Sequence, residues 1–183
     1  MQTLIFISFL LIFFAIWLSP FFKKYRQGKL RTSTINTTLL VILFTNIVFL
    51  IVIDLFTASP DSWSGNGNPA ILFVLPFILL FSVFCYMLST EWYRRSTLSL
   101  RIVLIITLPT MILASIFHTI HITSLLDALG GTPTVADSKI YRFGWFNQYT
   151  NTLFFNIYTY IFTIAFTIMI TTVTKTKFKP RLC

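Results

Sequence analysis

The sequence predicts an all-α integral membrane protein, a bundle of five transmembrane helices with its N-terminus outside and its C-terminus in the cytoplasm. Of the 183 residues, 56% are hydrophobic and only 10% are charged, whereas a soluble domain carries about 25% charged residues. The apolar residues form five runs. Each run is close to the roughly 20 residues that a helix needs to cross a hydrocarbon core of about 30 Å.

The predicted helices belong to a single transmembrane domain, residues 1–183. They cover residues 3–22, 36–58, 70–90, 102–125 and 152–174. The first run is interpreted as a retained helix and not as a secretory signal, because its basic cluster follows the apolar stretch instead of preceding it. The connection 59–69 is rich in Ser, Gly, Asn and Pro, which predicts an irregular segment.

The basic residues predict the orientation of the bundle. Five lie within residues 23–31, three within 94–101 and four within 175–181, whereas the other side holds only Lys139 and Arg142. The positive-inside rule therefore places the N-terminus outside and the C-terminus in the cytoplasm. The same residues are predicted to contact anionic lipid headgroups on the cytoplasmic side. Nucleic acid is excluded as a partner, because no basic face remains outside the short connections. The uncharged N-terminus and the short connections favour a bacterial plasma membrane.

The connection 126–151 is predicted to be an aromatic-rich outer loop. It opens with Asp127 and the turn signal Gly130-Gly131. Its aromatic residues are Tyr141, Phe143, Trp145, Phe146 and Tyr149. Aromatic side chains of this kind favour the headgroup layer, so the loop is predicted to anchor at the outer membrane surface, with a short helix beginning near Asp137. A lid over a pocket and a surface for a partner protein are the alternatives.

Three ionisable residues fall inside the predicted spans, and such residues are by default a functional-site hypothesis. Asp54 and His121 lie four residues from the outer ends of their helices, and His118 lies seven residues from its own. At about 1.5 Å rise per residue, their depths agree within about 5 Å. Asn156 lies at a similar level. If their helices are neighbours, these four side chains are predicted to line one outward-facing polar pocket.

The two histidines suggest several kinds of chemistry. His118 and His121 are three residues apart, so both can point into one space. With Asp54 they make a candidate site for a transition metal. One histidine can also serve as an axial ligand of haem, or hydrogen-bond a quinone. In the purely structural alternative, the imidazoles bond to water, to Ser115 or to a neighbouring helix, and Asp54 reaches headgroup water. No motif identifies a catalytic residue.

A threonine stripe runs along the fifth predicted helix. It includes Thr159, Thr163, Thr167 and Thr171 at four-residue spacing. Threonine hydroxyls contribute about 0.6 kcal/mol each in bonds between membrane helices, so the stripe predicts helix packing. The alternative is one wall of a permeation path, but the other helices carry few polar residues to face it.

One helix end carries a charge pattern that predicts local ion pairs. Glu91 precedes Arg94 and Arg95 by three and four residues. These spacings place the side chains next to one another on a helix.

Two classes of function fit this sequence. The favoured one is a small polytopic membrane protein that acts as an accessory or interaction subunit, or as part of a small-solute or ion transport assembly, within a homo- or hetero-oligomer. The alternative is a membrane-embedded enzyme or redox protein that uses His118, His121 and Asp54 at the outer leaflet on a lipid, a quinone or a metal. The absence of nucleotide-binding and hydrolase motifs favours the non-enzymatic class.

Overall fold

The computed structural model describes residues 19–62 and 67–178, and in this part of the chain all regular secondary structure is helical. Four helical spans are long and apolar enough to cross a membrane. They are Thr32–Leu55, Ile71–Arg95, Leu100–Ala128 and Asn151–Phe178. The predicted all-α membrane class is therefore confirmed. The first predicted helix, residues 3–22, lies outside the described residues except for its last four positions, which are helical.

The numbered helices are α1 (Thr32–Leu55), α2 (Ile71–Arg95), α3 (Leu100–Ala128), α4 (Asn151–Phe154) and α5 (Ile157–Phe178). The chain divides into two compact units, residues 1–41 and 42–183, with the boundary inside α1. In the first unit, the helical residues 19–26 end in a glycine turn. Gly28 has a φ of 67°, and the N–H of Lys29 donates to the carbonyl of Lys24 at 3.0 Å. This 6→1 bond belongs to the Schellman motif that commonly ends helices.

In the second unit, α5 is the central helix, and both α2 and α3 pack against it. We call the end where α2 and α5 finish and α3 begins the basic end, and the opposite end of these helices the loop end. At the basic end, Glu91 forms ion pairs with Arg94 at 3.5 Å and with Arg95 at 2.6 Å, as their spacing predicted. Lys175 extends from the last turn of α5 and donates to the carbonyl of Ser96 at 2.8 Å.

Towards the loop end, α1, α2 and α5 share an apolar core. Its buried side chains are Leu50, Ile53, Ala70, Val74, Phe77 and Tyr160. The aromatic rings of Phe77 and Tyr160 lie 6.3 Å apart between centroids. Phe81 completes the cluster, with its ring 4.7 Å from that of Tyr160. This core holds the loop ends of the three helices together.

The connection between α3 and α4 folds back on itself. After α3, Gly130 has a φ of 76°, and Gly131 donates to the carbonyl of Leu126 at 2.8 Å, so the predicted glycine turn is present. Residues 130–150 then form successive turns, and the short helix predicted near Asp137 does not occur. The N–H of Lys139 donates to the carbonyl of Leu129 at 2.8 Å, which turns the chain back towards the end of α3 instead of starting a helix.

The same loop is fastened to the connection between α1 and α2. Asn68 and Asn151 exchange two amide hydrogen bonds, at 2.7 and 2.9 Å. The side chain of Lys139 donates to the backbone carbonyl of Pro60. The Tyr149 hydroxyl donates to the backbone carbonyl of Ser62 at 3.2 Å. These bonds join the described parts of the two connections at the loop end.

The aromatic residues of the loop divide into two groups. Tyr149 is buried against Leu129 and Ile140, so this member of the predicted surface group belongs to the loop's interior. Phe146 is 74% exposed, and Trp145 is also exposed. Tyr141 and Phe143 are exposed as well, so four of the five aromatic side chains lie on the surface of the loop.

The helix bounds differ from the predicted ones mainly at polar ends. Helix α2 runs to Arg95, five residues past the predicted end at 90, and α3 runs from Leu100 to Ala128, beyond 102–125 at both ends. Hydropathy locates the edge of an apolar run, but capping and ion pairs carry a helix further into polar sequence. The prediction of one continuous helix over residues 152–174 is wrong, because the helix is interrupted between Phe154 and Ile157.

Candidate functional site

A groove between α3 and α5 lies near the loop end, and we call it the histidine groove. From α3 it is lined by Ala114, Ser115 and His118. From α5 it is lined by Tyr158, Thr159, Phe162 and Thr163. Its volume is about 260 Å³. The walls are mainly apolar and aromatic, with one imidazole and several hydroxyl groups among them.

The break between α4 and α5 positions this groove. The side-chain oxygen of Asn156 accepts the backbone N–H groups of Tyr158 and Thr159, at 2.9 and 3.0 Å. In return, the N–H of Asn156 donates to the Thr159 hydroxyl at 3.3 Å. This reciprocal pattern is a capping box, which satisfies the free donors at the start of a helix. It therefore starts α5 anew after Phe155.

The other half of the Asn156 amide faces α3. Its Nδ2 lies 3.3 Å from Nδ1 of His118, and it also donates to the carbonyl of Thr152 at 2.7 Å. Because the oxygen is already engaged with two backbone donors, the amide orientation is fixed from both sides. The sequence prediction grouped His118 with Asn156, and the structure brings these two residues together.

His121 lies one turn further along α3, beside the groove. Its ring centroid is 6.2 Å from that of Tyr158. Its Nε2 is buried and has no hydrogen-bond partner among the described residues. A second aromatic contact fixes Tyr158, whose ring stacks on Phe117 at 5.9 Å. His121 therefore contacts the same tyrosine that lines the groove together with His118.

Asp54 stands apart from this arrangement. It lies in the last turn of α1 with an exposed side chain. Within the described ranges 19–62 and 67–178, no three His, Cys, Asp or Glu side chains come together as a metal site. The predicted set of Asp54, His118 and His121 is therefore not assembled. Depth alone put Asp54 near the histidines, but depth does not fix which way a side chain points around its helix.

The threonine stripe of α5 divides into two parts. Thr159 and Thr163 line the histidine groove. Near the basic end, the Thr171 hydroxyl bonds that of Ser89 on α2 at 2.9 Å. The Thr163, Thr167 and Thr171 hydroxyls each donate to the carbonyl four residues earlier, at 2.7 to 2.8 Å. Such back-bonding satisfies a hydroxyl inside its own helix.

A second groove lies at the basic end between α2 and α5. It measures about 320 Å³ and is lined by Ser89, Thr90, Tyr93, Arg94, Ile170, Thr171 and Thr174. The Trp92 indole donates to the Thr172 hydroxyl at 2.9 Å beside it. Lys175 lies 5.8 Å from the centre of the Tyr93 ring. This groove combines hydroxyl groups with cationic side chains.

Sequence reasoning missed the aromatic walls of the histidine groove. Tyr158 and Phe162 are ordinary apolar-run residues in the sequence, and nothing in their spacing relates them to His118. The helix start was predictable only in part, since Asn is a common N-cap residue but Thr159 stands where a capping box usually has Glu or Gln. The surrounding apolar run predicts one continuous helix and so hides this start.

The four apolar spans define the chain as a multi-pass integral membrane protein. An open, mainly apolar groove with one imidazole among its walls lies between two of these spans. Comparison of the sequence and structure with protein-family models, curated proteins and solved structures finds no match.

Proposed function

We propose that the chain is a non-enzymatic accessory or interaction subunit of a membrane assembly, or a part of one that transports a small solute or ion. The observation that supports this is the small share of each span that the chain itself covers. In the most apolar window of the four spans, only 17 to 22% of the residues are buried. The rest of the apolar surface is available to lipid and to other membrane helices.

Helix α3 offers an outward apolar face for a second chain. Ile105 is 65% exposed, Ile112 59% and Ile116 49%, and their spacing places them on one side of the helix. The described hydroxyls of α5 mostly bond within the chain, which argues against a water-filled path through this chain alone. A transport path therefore requires further subunits.

Site-specific photo-crosslinking tests the proposal. A benzophenone amino acid replaces Ile105, Ile112 or Ile116, one at a time, in cells that contain the native assembly. Met87, which is fully buried, is the matched control position. We expect one and the same membrane protein, or a second copy of this chain, to be linked from all three outward positions and not from Met87. Adducts with lipid alone from every outward position would contradict the subunit proposal.

A transport role has its own test, because it predicts flux that depends on the exposed carboxylate of Asp54. The purified assembly in proteoliposomes should lose flux in Asp54→Asn and keep it in Asp61→Asn, a second exposed carboxylate. Equal flux in both variants would remove Asp54 from the transport hypothesis and leave the accessory role.

We also propose that the N-terminus lies outside and that the basic end faces the cytoplasm of a bacterial plasma membrane. The contacts of Lys175 and the Glu91 ion pairs support this by gathering cationic groups at one end. In a Cys85→Ala background, Cys183 is the remaining thiol. A membrane-impermeant maleimide should label it only after permeabilisation, and should label Thr134→Cys in intact cells. The reverse pattern would invert the topology.

Anionic lipid headgroups are the proposed partner at the basic end. The groove beside Arg94 offers hydroxyl groups together with a cation, and basic pockets between membrane helices on the cytoplasmic side bind such headgroups. Native mass spectrometry should show more retained phosphatidylglycerol than phosphatidylcholine, and Arg94→Gln should reduce the difference. Equal retention of both lipids by the unaltered protein would refute this partner.

A membrane-embedded enzyme or redox protein is the second candidate, and the histidine groove is the observation that favours it. Metal content and the optical spectrum of the purified protein should be compared with those of the His118→Ala/His121→Ala double variant. A stoichiometric metal or a haem or quinone band that is lost in the variant would favour this candidate. A colourless, metal-free protein that retains its assembly would favour the subunit role.

A further inference from the structure

The hydrogen bonds around Asn156 determine which nitrogen of His118 carries the proton. The Asn156 oxygen accepts two backbone donors, so the group that faces His118 is the NH₂. An NH₂ group only donates, and therefore Nδ1 of His118 accepts. A neutral imidazole has one donor and one acceptor. The neutral ring of His118 consequently carries its proton on Nε2.

This assignment gives the histidine groove a hydrogen-bond donor. Nε2 of His118 makes no hydrogen bond within the part of the chain that the structure describes, and His118 lines the groove. The nearby hydroxyls of Ser115 and Thr163 are already donated to carbonyls of their own helices, at 2.9 and 2.8 Å. The imidazole N–H is thus an uncommitted donor beside this site, in addition to the Tyr158 hydroxyl that also lines it. A ligand that complements the imidazole presents an acceptor.

The depth of His118 restricts the source of that acceptor. His118 lies seven residues inside the apolar run that ends at Leu125, or about 10 Å at 1.5 Å per residue. Lipid ester carbonyls lie at the edge of the hydrocarbon core, and therefore nearer the membrane surface than His118. A quinone carries its carbonyl on a flat ring and dissolves in the hydrocarbon, so its carbonyl can reach the depth of His118. The groove also offers two aromatic side walls, Tyr158 and Phe162.

We propose that the histidine groove binds the ring of a membrane-soluble quinone, with a ring carbonyl accepting the Nε2–H of His118. The volume of about 260 Å³ is slightly below the range of about 300–1,000 Å³ typical of pockets for drug-sized molecules. It therefore suits a single ring, with the alkyl tail leaving between the helices into lipid. The proposal concerns binding and assigns no reaction. It narrows the ligand of the second candidate function and does not depend on the subunit role.

The histidines make a direct test feasible, because the chain contains only two of them. Protein with isotope-labelled histidine is placed in a bilayer of ether-linked phospholipids, which have no ester carbonyl. Solid-state nitrogen NMR then shows the protonation of each imidazole nitrogen, and His121→Gln assigns the signals. We expect His118 to be protonated on Nε2. A benzoquinone with a decyl tail should shift that signal in a saturable way.

Two substitutions on α3 form a matched pair. Ser115→Leu fills the groove from an exposed position, whereas Thr119→Leu places the same side chain at an exposed position one turn away, outside the groove. Both residues use their hydroxyl only in a bond to their own helix. Ser115→Leu should abolish the quinone-induced shift, and Thr119→Leu should preserve it. Thr163→Leu narrows the groove from α5 and replaces Ser115→Leu if that variant does not fold.

Asn156→Ser tests the role of the amide. Serine keeps an oxygen to cap α5 but removes the donor to His118. The Nε2–H form should become less populated, and the apparent dissociation constant for the quinone should rise about fivefold, as expected for one neutral hydrogen bond.

The outcomes separate the possible ligands. A shift with quinone in ether lipids that Ser115→Leu removes supports the proposal. No saturable shift, or equal shifts in Ser115→Leu and Thr119→Leu, would overturn it. A shift that appears only when ester-linked lipids replace ether-linked lipids would assign the groove to a lipid carbonyl and would also overturn it. None of these results alters the cross-linking test of the subunit role, so the two can fail separately.

Discussion

The amide pair of Asn68 and Asn151 should contribute strongly to the stability of the loop end. Their side chains exchange two hydrogen bonds, at 2.7 and 2.9 Å, and Asn151 is only 5% exposed. A hydrogen bond inside a protein contributes about 1 kcal/mol net. Either Asn68→Ala or Asn151→Ala removes both bonds, and so each should lower the free energy of unfolding by about 2 kcal/mol.

The double variant provides the sharper result. It loses the same two bonds as either single variant, so its cost should also be about 2 kcal/mol and not about 4, which gives a coupling energy of about 2 kcal/mol. Unfolding by SDS in mixed micelles, followed by circular dichroism, measures all three variants against the unaltered protein. Thr134→Ala combined with Asn151→Ala is the control. Thr134 is exposed and bonds only to Thr132.

The control pair should be additive, because its two residues share no hydrogen-bond partner. If the coupling between Asn68 and Asn151 were below about 0.5 kcal/mol, within the usual additivity of independent sites, the reciprocal amide pair would not be a significant link. The reasoning about the loop end would then be refuted, and the weaker bond from Asn151 to Thr57 at 3.4 Å would not rescue it.

Three further predictions concern other parts of the described chain. Asn156→Ala should lower the free energy of unfolding by about 1 kcal/mol, because it removes the cap of α5; the same SDS titration measures it, and a loss as small as that of Asn156→Ser would contradict the capping role. Trp92→Phe should cost about 0.6 kcal/mol, the average for a hydrogen bond between membrane helices, and should cost nothing further when Thr172→Val is already present; additive losses would show that the indole bond is not the cause. Trp145, as the single tryptophan of a variant with Phe at the others, should be quenched by lipids brominated near the headgroup; quenching by an aqueous quencher alone would contradict an interfacial position.

The features that the sequence predicted well are local ones. Helix length and class follow from runs of apolar residues, and Glu91 pairs with Arg94 and Arg95 because three- and four-residue spacings are neighbours on any helix. The glycine turn after α3 is equally local, since Gly130 adopts a φ of 76° that other residues rarely adopt. In each case the atoms that interact are within one or two turns of the chain.

The candidate site was predictable only in part, because it depends on contacts between distant segments. His118 and Asn156 were placed at one depth by counting residues, and the structure joins them. The same count placed Asp54 with them, and the structure does not, since its side chain is exposed at the end of α1. Counting gives height along a helix, whereas a site also needs the rotation of each helix and the identity of its neighbour.

Asn156 connects the stability of α5 with the character of the site. Its side-chain oxygen accepts two backbone N–H groups of α5, and its side-chain nitrogen donates to the imidazole of His118. Alanine removes both functions, whereas serine removes only the second, so the difference between Asn156→Ala and Asn156→Ser isolates the cap. The nitrogen NMR signal of His118 in Asn156→Ser then shows how far the amide determines which imidazole nitrogen carries the proton. Because one side chain both starts a helix and orients a donor, the break in the apolar run is itself part of the site.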